Sequence, residues 1–216
     1  LAIALLGGCR YGWGIFVGSL LAHGLTTQQP WLSVGLATAQ TAGLLLACRL
    51  LKRNRRFDPR LQTMGHYLRL LLGGILPFTV VDGLIATPCL ALAGLLPLDA
   101  GPGSFLLWTM GEALGTLLIT PLILVWHLHP LRRTAKRRWP EAVLVQGVIV
   151  LMGLLIFQDY FVNVWSRRAH QAYWLFLPMA WAATRLGRRS VLLGLNMLAV
   201  LVLVGIHRNT GIFASP

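Results

Sequence analysis

Long apolar runs, separated by short polar turns, constrain this chain more than any other feature of its sequence. A helix needs about 20 apolar residues to cross about 30 Å of hydrocarbon, and in lipid only helices and closed barrels satisfy their own backbone groups. By that ruler Trp31–Leu51, Tyr67–Pro97, Phe105–His127, Ala142–Gln158, Gln171–Thr184 and Val191–Ile206 are spans. Gly14–Leu25 is a shorter one, reaching full length if Tyr11 and Trp13 sit at the interface, and Leu1–Gly7 is the tail of another. The expected fold is all-α, a polytopic integral membrane helical bundle of about seven complete or near-complete spans plus a truncated first one. Pro77 and Pro88 break Tyr67–Pro97, which is either one kinked, tilted helix or a helix plus a re-entrant piece. A soluble domain is excluded, because only 12% of the residues are charged where globular proteins carry about 25%.

The charges that remain are lopsided, 19 Lys+Arg against 6 Asp+Glu, for a formal net charge of +13. Clustered cations on a basic chain can mark nucleic-acid binding. Here they sit in short loops between spans, the pattern that orients membrane proteins with positive loops in the cytoplasm. The expected surround is the lipid bilayer, with no nucleic-acid partner. Basic loops lie around residues 49–60, 132–138 and 185–189. Two spans separate each from the next, so all three fall on one side, the cytoplasmic one, and the weakly charged turns around Thr26, Asp99 and Asp159 fall on the other. Arg10 also falls on the basic side, so Leu1–Gly7 must arrive from the far side. His207–Pro216 then lies on the far side too, and a cytoplasmic domain beyond it requires one more span. The expectation is a single transmembrane domain over residues 1–216, truncated at both ends.

Two acids lie inside spans, Asp82 near the middle of Tyr67–Pro97 and Glu112 eight residues into Phe105–His127. A carboxylate at the bilayer centre costs about 2.5–3.5 kcal/mol on insertion scales, so each must face protein or water. Each is either a ligand, proton or ion site or a buried carboxyl that fixes helix register. Helical spacing puts Trp108, Glu112, Gly115 and Ile119 on one face, and Gly111 with Gly115 forms a G-x-x-x-G step that admits a close helix neighbour. Pro121 follows on the same helix. Trp108, Glu112 and Asp82 are the candidate signal pocket; Gly111, Gly115 and Pro121 are the candidate helix contact.

The other polar groups point to packing. Trp174, Pro178, Trp181 and Arg185 form a stripe that reads as packing with an interfacial anchor, and Asn196 can hydrogen-bond across helices. Cys9, Cys48 and Cys89 lack any C-x-x-C spacing and read as small packing residues. His23, His66, His127, His129, His170 and His207 stand mostly at span ends, so no cofactor or metal is expected, and haem ligated across the membrane is the alternative they leave. No phosphate loop and no nucleophile–base spacing is present, so no catalytic site is expected in these 216 residues.

The run F-L-L-W-T-M-G-E-A-L-G-T-L-L-I-T-P from Phe105 to Pro121 resembles the signature helix of the first-described type of MASE domain, the bacterial membrane-associated sensor. Three more stretches agree: Arg10–Leu20 with Y-G-W-G-I from Tyr11, the F-D-P-R-L loop from Phe57 leading into Y-L-R-L-L at Tyr67, and the G-I-F-A-S ending from Gly211. The resemblance implies an N-terminal input module in the bacterial inner membrane, regulating a cytoplasmic output domain. That output is a diguanylate cyclase with a GGDEF domain making cyclic di-GMP or, alternatively, a sensor histidine kinase. It further implies a homodimer and a small-molecule or protein signal. Two departures stand out. The family helix matching Trp31–Leu51 usually carries a Glu about three residues after a polar pair, where Gln40-Thr41 is followed here by Gly43. The signature acid, commonly Asp, is Glu112. A competitor of another class, a small transporter or channel, suits intramembrane acids and broken helices, but no internal repeat is visible.

Overall fold

The computed structural model describes residues 1–27, 29–54, 57–96, 101–128, 139–157 and 173–208. They form helices α1 (Ala2–Gly7), α2 (Gly12–Thr26), α3 (Pro30–Arg53), α4 (Met64–Leu92), α5 (Gly101–Leu128), α6 (Trp139–Phe157), α7 (Phe176–Trp181, continued by a π turn over Ala182–Leu186) and α8 (Arg188–Arg208). No strand occurs among the described residues. The all-α membrane bundle is therefore as expected. Helices α3, α4, α5, α6 and α8 are long and apolar enough to cross a membrane, whereas α2 has 15 residues and α7 is shorter still. Their outward faces stay apolar, with Leu107 75% and Leu114 61% exposed on α5. Contiguous surface of that kind belongs against lipid, not water. Residues 129–138 and 158–172, with His129, His170 and the second basic cluster, lie outside the described residues, as do 97–100 and 209–216.

The chain divides into two compact units, Leu1–Leu124 and Val125–Pro216. In the first, α3 is central and packs on α2 and α4. Its sequence explains why. Ala37, Ala39, Gly43 and Ala47 are all buried, and small residues let backbones approach where no hydrophobic driving force acts between helices. Along the antiparallel α3/α4 seam, glycines of both helices make the close approaches. A Cβ on Gly35 would stand 3.0 Å from Cys89 Sγ, one on Gly43 would stand 2.5 Å from the Phe78 carbonyl oxygen, and one on Gly74 would stand 2.7 Å from Leu51 Cδ1. Leu44, Ala47, Cys48, Phe78 and Ala4 close one end of the seam. Leu32, Leu36, Ala39 and Ala86 close the other.

Met64–Leu92 is one continuous helix, not a helix plus a re-entrant piece. A π segment over Leu71–Ile75 makes this possible, with the Leu76 N–H donating to the Leu71 carbonyl five residues back. Pro77 has no N–H for the carbonyl of Gly73 and its ring crowds that turn, and the extra residue of the π turn absorbs the conflict. Pro88 is carried inside the same helix.

The second unit packs α6 against α8, with Val145, Ile149 and Ala182 buried together and Met179, Leu186, Val191 and Leu198 around them. Gly153 faces Leu198 and Leu201 closely enough that a Cβ would stand 2.6 Å from Leu201 Cδ1. Gln146 is the polar tie. Its Nε2 donates to the Ser190 carbonyl at 2.7 Å and to Ser190 Oγ at 2.8 Å. Asn196 Nδ2 donates to the Leu192 carbonyl one turn back on its own helix.

Because the obstacle at Gly43 is backbone, Gly43→Leu should destabilise the chain by about 1–3 kcal/mol, lowering its thermal midpoint in detergent. Gly14→Leu, where a Cβ would meet open space, should leave that midpoint in place.

Candidate functional site

Asp82 is fully buried. Its Oδ2 accepts a 2.7 Å hydrogen bond from Trp108 Nε1, joining α4 to α5. The residue beside it makes the approach possible: a Cβ on Gly83 would stand 2.5 Å from Thr109 Oγ1 and 3.0 Å from Phe105 Cε2. The indole of Trp108 also packs on the Leu32, Leu36, Ala39 and Ala86 cluster, so its N–H is aimed by apolar contacts on its other side. One turn further, the half-buried Glu112 hydrogen-bonds the side chain of Gln40 on α3 and lies within electrostatic reach of Asp82. Gln40 Oε1 in turn accepts from Ser19 Oγ on α2 at 2.6 Å. His23, one turn beyond Ser19, is within electrostatic reach of Asp82.

Four helices thus converge on one polar cluster. Asp82 stands 92 − 82 = 10 residues from the Leu92 end of α4, Glu112 112 − 101 = 11 from the Gly101 end of α5, and Gln40 40 − 30 = 10 from the Pro30 end of α3. At 1.5 Å per residue these depths are each about 15 Å, half of a hydrocarbon core of about 30 Å. Counted from those ends, the three side chains are level with one another, well inside the three candidate spans.

Asp82, Trp108 and Glu112, picked out from the sequence, are therefore brought together. The two glycines are not part of that gathering. A Cβ at Gly111 or Gly115 would meet nothing within 4 Å, so neither glycine makes a helix contact among the described residues. The reason is angular. Phe105 and Thr109 carry the packed face of α5, and Gly111, two residues past Thr109, is about 200° round the helix. Pro121 lies lower on α5 and is fully buried. Sequence reasoning missed Ser19, His23, Gln40 and Thr109. Gln40 carried a usable signal, an amide inside an apolar span, while Thr109 carried none apart from its register with Gly83.

In the second unit, Glu141 Oε1 accepts from Trp181 Nε1 at 3.1 Å and pairs with Arg185 Nη1 at 3.5 Å. Arg185 also lies over the Trp181 ring at 5.6 Å, and Arg189 over Trp126 at 5.7 Å. Trp181 and Arg185 of the expected stripe are thereby packed together against Glu141 of α6. Among the described residues, no three His, Cys, Asp or Glu side chains come together as metal ligands.

A helical bundle with outward-facing apolar surfaces and a partly satisfied polar cluster inside its candidate spans defines a polytopic membrane module. The family model that matches the chain is MASE1, over residues 1–215, and the chain belongs to that family, membrane sensory input domains of signalling proteins. No curated protein and no solved structure matches it.

The Trp108–Asp82 bond should show in a double-mutant cycle. Trp108→Phe alone should destabilise the chain measurably, and the same change made on Asp82→Leu should cost less. The coupling should be about 1–2 kcal/mol, at the upper end for interhelical bonds because Asp82 is fully buried. Gly115→Leu, by contrast, should leave thermal stability unaltered.

Proposed function

We propose that this chain is the input half of a bacterial inner-membrane signalling protein, that the cluster around Asp82, Trp108 and Glu112 receives the signal, and that the output is a cytoplasmic diguanylate cyclase with a GGDEF domain, working as a homodimer. The basic ends at Lys52–Arg53 and Arg185–Arg189 are assigned to the cytoplasm on the positive-inside pattern. The observation that carries the reading is that each intramembrane acid is hydrogen-bonded to a group on another helix, Asp82 to Trp108 and Glu112 to Gln40. A ligand that exchanges either bond for its own changes which helices are tied together, and binding the two arrangements unequally shifts the balance between them. The signature-helix resemblance over Phe105–Pro121 supports the cyclase as output.

The experiment is Glu112→Gln in the full-length parent, in membranes, with cyclic di-GMP synthesis as the readout. Glutamine keeps the shape and one acceptor while removing the charge. The expected outcome is an output shifted to one extreme and unresponsive to the signal, by several-fold or more, with the thermal midpoint of the domain close to the parent's. Unchanged synthesis and unchanged stability would remove Glu112 from the mechanism.

A further inference from the structure

Donors and acceptors around Asp82 and Glu112 do not balance. Trp108 has one indole N–H, and Asp82 Oδ2 takes it. Gln40 bonds Glu112, and its carbonyl oxygen is occupied by Ser19. Asp82 Oδ1 and Thr109 Oγ1 are both buried without a hydrogen-bond partner among the described residues. The Thr109 hydroxyl lies against Gly83, the residue next to Asp82, so the two orphaned oxygens belong to one place in the α4/α5 contact. With both acids ionised the cluster holds more acceptor oxygens than donors, even counting the Thr109 O–H, and the like charges of Asp82 and Glu112, within electrostatic reach of one another, oppose each other.

A ligand that relieves both conditions is positive. It is also small, because Gly83 is pressed against Phe105 and Thr109. The Born cost of dehydration rises with the square of the charge, so a divalent ion, which keeps its waters or wants six to eight oxygen ligands, costs far more to bury among these few oxygens than a monovalent one. An anion would add to the repulsion.

We propose that Asp82, Glu112 and Thr109 form a binding site for a small monovalent cation, between α4 and α5. This rests on the reading of the cluster as the receiving site and names the chemical class of what it receives. The bound cation draws Asp82 and Glu112 to a common centre and so competes with the bonds each makes to Trp108 and Gln40.

The test uses the 216-residue chain in lipid nanodiscs, with thermal unfolding followed by tryptophan fluorescence. NaCl, KCl and methylammonium chloride are titrated against N-methyl-D-glucamine chloride at matched ionic strength. At least one small cation should raise the midpoint saturably. The alkali-metal and methylammonium arms separate an inorganic ion from a ligand amine. Asp82→Asn and Thr109→Val should each weaken the apparent affinity, the first by at least about tenfold, as expected for losing a charged partner in a dry site. Their midpoints in N-methyl-D-glucamine show whether each variant is folded, and Thr109→Val serves if Asp82→Asn is not. No saturable shift with any small cation overturns the proposal, as does a shift that survives in both folded variants. Failure here with an altered output in Glu112→Gln leaves the sensor reading standing without the cation. Binding here with unaltered output in Glu112→Gln does the reverse.

Discussion

Hydrocarbon offers a carboxyl group no hydrogen bonds, and the first unit is arranged around that fact. Asp82 is placed inside a candidate span with a fully buried side chain, so its partner must come from protein, and Trp108 provides it from a neighbouring helix. Meeting that requirement draws α5 onto α4, which is sterically possible only because the next residue is Gly83. Glu112 then falls one turn along the same helix, where Gln40 and Ser19 extend the polar contact to α3 and α2. Helices that have no hydrophobic reason to associate within lipid are held in one register by these few polar bonds, with close packing of small side chains between them.

Small residues and irregular turns do the remaining work. The α3/α4 seam closes through glycines of both helices, Gly35 and Gly43 from α3 and Gly74 from α4, each facing a larger group opposite. At Gly43, with the Phe78 carbonyl this close, a longer side chain has no room. The π segment at Leu71–Ile75 lets a proline-containing stretch continue as one helix. It lies between the buried acid and the Met64 end of α4, so any change of helix register at Asp82 passes through a turn already held by weaker, i−5 hydrogen bonds.

The spans were legible because the length of an apolar run is a one-dimensional quantity, and Trp31–Leu51 became Pro30–Arg53 with only its ends adjusted. Asp82 and Glu112 were legible for a related reason, since a charge inside such a run stands out whatever the fold. The partners were not. Ser19 and Gln40 are 21 residues apart and Asp82 and Trp108 are 26 apart, and no local periodicity links residues across a turn. The Gly111/Gly115 step shows the converse. Its spacing is a real feature of the helix surface, but which way that surface faces depends on where Phe105 and Thr109 dock.

By itself the sequence determined that this chain is a helical membrane protein, roughly where its long helices lie, and that two of them carry an acid inside an apolar span, because each of these follows from hydropathy and charge along the chain. The resemblance in the Phe105–Pro121 helix placed it in its family. Only the tertiary structure decided that the two acids share one cluster at a common depth, that Trp108, Gln40 and Ser19 join it, and that one oxygen of Asp82 has no hydrogen-bond partner among the described residues. Those are relations between helices. They are set by which small residues allow two backbones to approach, and the approach of Thr109 to Gly83 exists only once the helices are side by side.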